Sequence, residues 1–374
     1  MIIKNDCKYF PGDRPCIYNK REGLLCDNCP HYSSHQARIL IIKLDAVGDV
    51  LRTTCILHGL KEKYPNSEIT WITRKASFSI FENNSFVNHV LAYESTEAIL
   101  QSIVRDFTLA INLDCSLDSS ALAAAIKAKA KIGYGMNNQG NIFPYNSEAI
   151  SWMEMGAFDQ FKKKNNRSFQ DIMLDICQIP SSKKEIILML SEAEQSFAQS
   201  FAGNNHLGQS STIIGLNTGA SNRWQLKQWT LEGFESLINL LLENTRATIL
   251  LYGGPLEGER NNYLSKLHPT RIVDTGTSNS LREFFALITL CDLFITGDTL
   301  ALHAATALGK KIIALFGPTS AAEIDTYGGQ ITRVQAKLDC LVCYKSKCEF
   351  NPNCMNSITA NELFEIIQKK LLSR

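Results

Sequence analysis

The chain of 374 residues lacks the features that would place it in several broad classes. No apolar run approaches the ~20 residues that a helix needs to cross a bilayer. The first residues, up to Arg14, carry no apolar core, so no secretion signal is expected. Charge of one sign is not in excess: 38 Lys and Arg stand against 37 Asp and Glu. That balance gives no bulk electrostatic reason to expect nucleic acid or a membrane surface as partner. No solenoid repeat is visible. No G-x-G-x-x-G precedes Asp49, and no Asp-x-Asp pair sits at a strand end to suggest magnesium. What remains is a globular composition, 45% hydrophobic and 20% charged, long enough for two domains. A cytoplasmic location is expected, with a peripheral place at the inner membrane face left open.

Cysteine is abundant: twelve residues, eight of them clustered. Cys7, Cys16, Cys26 and Cys29 lie in the first segment, and Cys340, Cys343, Cys348 and Cys354 near the end. Both segments are poor in core residues, so each reads as stapled by four thiolates. Zinc is the first expectation, iron or an iron–sulfur centre the next, and disulfides the last, because the cytoplasm is reducing. The clusters can form two sites or pool into one, with His31 as a substitute ligand. Cys55, Cys115, Cys177 and Cys291 are single residues in apolar segments and read as packed hydrophobes.

Between the clusters, apolar runs alternate with amphipathic stretches. Strands are expected at 38–44, 68–73, 87–93 and 108–113, with helices at 50–63 and 118–129. Residues 137–167 read as a long loop that shapes an acceptor site. After a junction the series restarts. Strands are expected at 212–217, 248–252, 271–274, 293–296 and 311–316, with helices at 231–243, 281–290 and 300–308. The final stretch, 359–372, reads as an amphipathic helix opened by a Thr359–Glu362 capping box. This is an α/β chain of two doubly wound halves. The expected divisions are a Cys-rich segment 1–35, an acceptor domain 36–190, a donor domain 205–335, and a Cys-rich segment with a helix, 336–374.

Ligands in such sheets bind beyond the carboxyl ends of the strands, so the strand-end loops matter most. In "FITGDTLALHAATALG", Gly297 allows a tight turn and Asp298-Thr299 opens a helix. Free N–H groups at that helix start favour an anion, Thr299 adds a hydroxyl, and Lys227 brings a positive charge from another loop. Together they suit a diphosphate. Asp49, between a strand-like and a helix-like run, can be a helix cap, a ribose-holding acid or a general base.

These stretches resemble glycosyltransferase family nine, the ADP-heptose:lipopolysaccharide heptosyltransferases, over residues 38–319. The matching motifs are "IIKLDAVGDVLRTT", Lys227 with Trp229 and Phe234, "GGPLEGER", and "GDTLALHAATALGKKIIALFGPT". The resemblance implies a GT-B architecture: two Rossmann-like domains facing a cleft. It implies an inverting, metal-independent transfer of heptose from ADP-heptose to an acceptor hydroxyl of lipopolysaccharide core or a related glycan. Carried over by motif, Asp49 is the general base, Lys227 contacts the donor phosphate and Thr218 lies beside it. Glu257 approaches the ribose, with Glu259 as competitor. Asp298 contacts the donor sugar, Thr299 and the N–H groups of Leu300 and Ala301 hold the diphosphate, and His303 supports the site. The chain departs from the pattern at Leu300, where many members have Gly, in the spacing before Lys227, and in an added Trp224. A C-terminal helix crossing back to the first domain is also implied, and some members carry the second thiol cluster. Alternatives kept open are another nucleotide sugar, a protein acceptor, an oligomer, or a non-catalytic assembly protein with metal-stapled ends.

Overall fold

The computed structural model describes residues 2–180, 183–208, 212–220 and 226–372. Six strands of the first half are β1 (Ala37–Ile42), β2 (Ser67–Thr73), β3 (His89–Ala92), β4 (Asp106–Asn112), β5 (Lys127–Met136) and β6 (Ile142–Pro144). They order as β3-β2-β1-β4-β5-β6, parallel except for the antiparallel β5–β6 pair. The second half has β7 (Ile213–Asn217), β8 (Thr248–Tyr252), β9 (Ile272–Asp274), β10 (Leu293–Gly297), β11 (Lys311–Phe316) and β12 (Ile331–Gln335). Their order is β12-β11-β10-β7-β8-β9, parallel throughout. Central strands such as β1 ("ARILII") are apolar on both faces because helices cover both sides of a parallel sheet. The order reverses at β1 in one sheet and at β7 in the other, so each half opens a crevice at the carboxyl end of that strand.

Several expectations shift in detail. The 50–63 helix is two helices, Val47–Thr53 and Ile56–Lys63. The Thr54 hydroxyl bonds the Leu51 carbonyl at 2.7 Å and accepts the Ile187 N–H at 2.8 Å, which stops the first helix there. The 118–129 helix ends at Ala125, and Lys127 starts β5. Residues 137–167 are more ordered than a loop: β6 returns along β5, then helices Ile150–Ala157 and Asp159–Lys164 follow. The C-terminal helix Ala360–Leu372 does not serve as a crossing element. Its Leu363 and Ile367 are buried in the core of the second half with Leu237 and Leu241 of the helix Leu231–Asn244. The helix Glu192–Asn204 makes the crossing instead, packing on the helix Leu281–Ile288. No helix among the described residues is long and apolar enough to cross a membrane.

Each half has its own apolar cluster, and a third runs through both, joining Val50 and Leu51 to Ala301 and Leu302. Arg282 latches the same boundary. Its Nε and Nη2 each lie 2.6 Å from a Glu194 carboxylate oxygen, and Nη1 donates to the Ser79 carbonyl of the first half at 3.0 Å. The Arg282 side chain is 8% exposed and that of Glu194 15%. Removing one partner of a buried pair strands the other. Arg282→Leu is therefore expected to cost about 3 kcal/mol in urea unfolding. A loss below about 1 kcal/mol would show the latch to be a screened surface pair.

Candidate active site

Asp49 is the third residue of the helix after β1, where a carboxylate meets the free N–H groups of a helix start. Its Oδ2 accepts the Ala46 N–H at a long 3.4 Å, and its Oδ1 pairs with Arg52 Nη2 at 2.8 Å. The residue is thus a weak cap, yet its side chain remains 38% exposed and open to a second partner. Burial raises its pKa, but the charges of Arg52 and Lys43 outweigh that and hold it below the usual carboxylate value. It is ionised at neutral pH, as a proton acceptor must be. A Cβ on the neighbouring Gly48 would lie 3.2 Å from His303 Cδ2 and 3.4 Å from Leu300 Cα. The first half's helix start therefore abuts the 300–307 helix of the second half, and Asp49 stands at the contact.

Across that contact, the loop after β10 carries the anion-binding elements. A Cβ on Gly297 would fall 2.3 Å from the Lys227 carbonyl, so only glycine lets the Lys227 loop close on the strand end. Lys227 Nζ lies 2.8 Å from Asp298 Oδ2. Burial raises the pKa of Asp298, but the charge and hydrogen bond of Lys227 and the charge of Arg52 overcome it and keep the group well below the carboxylate range. Thr299 caps the helix Leu300–Ala307, its hydroxyl accepting the Ala301 N–H at 3.3 Å. Leu300 is the first helical residue and is not among the positive-φ positions, so the backbone there does not require glycine. His303 is buried one turn in. Burial and the charge of Arg52 push its pKa down to about 4, against the pull of Asp298 and Asp49. The ring is neutral, which fits a supporting role.

The other donor-side residues separate into two kinds. Glu257 is buried, its Oε2 accepting the Gly254 N–H at 2.8 Å, and a Cβ on Gly219 would lie 2.5 Å from its Cδ. It therefore sits against the β7 strand-end loop, whereas Glu259 is exposed. Thr218 is fully buried, its hydroxyl 2.6 Å from Asn261 Oδ1 and 3.1 Å from the Tyr252 carbonyl. That hydroxyl braces the loop; its carbonyl is gripped by Arg260 at 2.6 Å and Gln228 at 2.9 Å. Trp224 lies outside the described residues.

Sequence reasoning missed Arg52 and the groups behind it. The Arg52 guanidinium stacks 3.7 Å over the Phe169 ring centre, pairs with Asp49 and lies 3.8 Å from Glu323 of the second half. Burial would lower its pKa, but Asp49, Glu323 and Asp298 raise it. Glu323 accepts the Tyr344 hydroxyl at 2.9 Å, and its burial lifts its pKa despite Arg52. Lys43 at the end of β1 pairs with Asp114 at the end of β4. Arg52 lies one helical turn after Asp49, an i,i+3 spacing that could have signalled the pair.

The N-terminal thiols stand apart from this centre. All twelve cysteines are reduced. Cys7, Cys16, Cys26 and Cys29 line one cavity in the first segment. Burial raises the Cys354 pKa, and Cys343 and Cys348 are near enough to raise it further. Among the described residues no three His, Cys, Asp or Glu side chains are placed to hold a metal ion. His31 is engaged elsewhere, stacked 3.7 Å from the Tyr18 ring and 3.3 Å from Glu22.

The profile of Glycosyltransferase family 9 (heptosyltransferase) matches residues 97–353. The lipopolysaccharide core heptosyltransferase OpsX of Haemophilus influenzae is 23% identical over 300 residues, covering 77% of this chain and 81% of that protein. A family 9 glycosyl transferase from Veillonella parvula superposes with a TM-score of 0.75 at 19% identity, over 91% of this chain and 99% of that one. The E. coli ADP-heptose lps heptosyltransferase II follows with a TM-score of 0.65 at 17% identity, over 90% and 98%. These likenesses show the GT-B fold expected from the motifs.

The neutral, buried His303 has a consequence for stability. Its pKa is about 4 in the folded chain, against an ordinary value of 6.5. The unfolded chain thus binds the proton first, and stability falls as pH drops from 6.5 towards 4. Asp49 and Asp298, both lowered, act only below 3.8. His303→Gln is expected to reduce the loss of stability between pH 7 and pH 5 by about 2 kcal/mol in urea melts. Equal losses in the variant and the parent would place the ring in solvent.

Proposed function

Because the chain belongs to glycosyltransferase family 9 and is a glycosyltransferase, we propose that it moves a heptose from ADP-heptose to a hydroxyl of lipopolysaccharide core or a related glycan, with inversion and without a catalytic metal. The observation that carries this reading is the ionised, accessible Asp49 on one half, next to the Gly48 that abuts Leu300 and His303 of the helix that follows the Lys227–Asp298 pair on the other. Asp49 takes the proton of the acceptor hydroxyl as its oxygen attacks the anomeric carbon. The bond from that carbon to the phosphate oxygen breaks, and ADP leaves with the electron pair. Direct attack by the acceptor oxygen, with one base to take its proton, amounts to a single displacement, hence inversion.

Charge gathers on the leaving diphosphate, and the groups that meet it are Lys227, the Thr299 hydroxyl and the N–H groups of Leu300 and Ala301. These donors can neutralise it without a divalent cation. Asp298, held ionised by Lys227, is assigned to the sugar hydroxyls, and buried Glu257 to the ribose. His303 fills the space behind the contact as a neutral ring. Cys340, Cys343, Cys348 and Cys354 are proposed to staple the segment that carries Tyr344, with a structural metal and no part in the chemistry. An acceptor linked to lipid would draw the protein to the inner membrane face.

Two substitutions should fail in different ways. Asp49→Asn keeps size and capping but removes the proton acceptor; turnover of ADP-heptose is expected to fall by roughly 10²–10⁴-fold with ADP affinity kept. Lys227→Ala is expected to weaken ADP binding about tenfold or more in calorimetry and to slow transfer with it. Full turnover in the first variant would leave Asp49 as a cap alone, and undiminished ADP binding in the second would move Lys227 out of the donor site.

A further inference from the structure

The first segment of the chain folds around a space, not around a core. None of residues 2–36 is buried, and Ile2, Ile3, Ile17 and Leu25 are each more than two-fifths exposed. Regular structure there is limited to the helix Ile17–Glu22 and a turn of 3₁₀ helix, Cys26–Asn28. One antiparallel bridge, Cys7 to Ser34, closes the segment on itself just before β1. A peptide of this kind buries too little to order itself and needs a cross-link.

The cross-linking groups are in place. Cys7, Cys16, Cys26 and Cys29 all line a single cavity of about 390 Å³, together with the rings of Tyr9 and Tyr18. Tyr18 is itself fixed between Tyr9, edge-on at 4.9 Å, and the stacked His31. No thiol is spent in a disulfide. A single zinc occupies only the point about 2.3 Å from each of its four sulfurs. A cavity of this volume, lined by all four thiols, has room for a larger, polynuclear group. The Cys16 sulfur also accepts the Asn19 N–H at 3.5 Å, the kind of bond that steadies a ligating sulfur.

We propose that Cys7, Cys16, Cys26 and Cys29 hold an iron–sulfur cluster in this cavity. Ligation exchanges each S–H bond for an Fe–S bond and releases one proton per thiol; the ligating sulfurs keep their oxidation state, the iron is supplied as ferric iron, and a thiol reductant provides the electrons that bring part of it to ferrous. No residue of the segment belongs to the centre built by Asp49, Lys227 and Asp298. The cluster therefore orders the first segment, and sugar transfer does not pass through it.

The test uses the full chain, reconstituted without oxygen from ferric iron and sulfide under a thiol reductant. Iron, zinc and acid-labile sulfide are measured in the parent, in Cys26→Ser/Cys29→Ser and in Cys343→Ser/Cys348→Ser. Calorimetry with ADP reports whether each variant is folded. The expected result is labile sulfide with visible charge-transfer absorption in the parent and in the Cys343/Cys348 variant. The Cys26/Cys29 variant should lose both while keeping ADP affinity within about twofold. Zinc without labile sulfide, sulfide that follows the C-terminal pair alone, disulfide-linked peptides from the first segment, or no bound metal would each overturn the proposal.

Discussion

At the candidate active site one guanidinium spans the two halves. Arg52 leaves the first half on the turn after Asp49, lies flat on Phe169 and reaches Glu323 of the second half. Around it gather carboxylates that low exposure would otherwise drive to protonate or separate. Burial alone raises the pKa of Asp49, Asp298 and Glu323. Cations reverse the shift for the first two: Arg52 and Lys43 at Asp49, Lys227 and Arg52 at Asp298. Glu323 stays raised, with the Tyr344 hydroxyl as its hydrogen-bond partner. The base and the donor loop are thus held in one balanced charge system, and His303 between them is kept neutral by the same cations and by burial.

That system explains why the C-terminal segment is more than an appendage. Tyr344 supports Glu323, and Trp229, next to the donor lysine loop, donates its Nε1–H to the Ile358 carbonyl at 3.1 Å. A Cβ on Gly317 would lie 2.7 Å from the Leu226 carbonyl and 3.1 Å from Cys354 Sγ. The Lys227 loop, the loop after β11 and the last thiol are therefore packed in one layer. Order in the Cys340–Cys354 stretch is order in the donor loop, a link that runs through packing and not through ligation of substrate.

Much of this was legible in the chain. The central strands show as apolar runs, because a parallel sheet buries both faces, and the site residues follow them at strand ends. Asp49, Lys227, Asp298 and Thr299 were found that way. β12 was missed because "ITRVQ" has only two apolar residues, three positions apart, and its neighbours are polar, as befits an edge. The helix Glu192–Asn204 was passed over for a junction, although Ser191 and Glu194 form a capping box there. Thr218 lies in the right loop, but which way a hydroxyl is spent depends on Asn261 and Tyr252, which no local pattern reveals. Arg52's tie to Glu323 is equally invisible, since it exists only once the two halves are packed.

The central claim is that Arg52 holds Asp49 ionised so that it can act as the base. The pH dependence of kcat at saturating ADP-heptose, compared between the parent and Arg52→Met, tests it most directly. With the guanidinium gone, burial acts on Asp49 with less opposition, so its pKa should rise and the acid limb of the profile should move to higher pH. An acid limb at the same pH in both proteins would contradict the account.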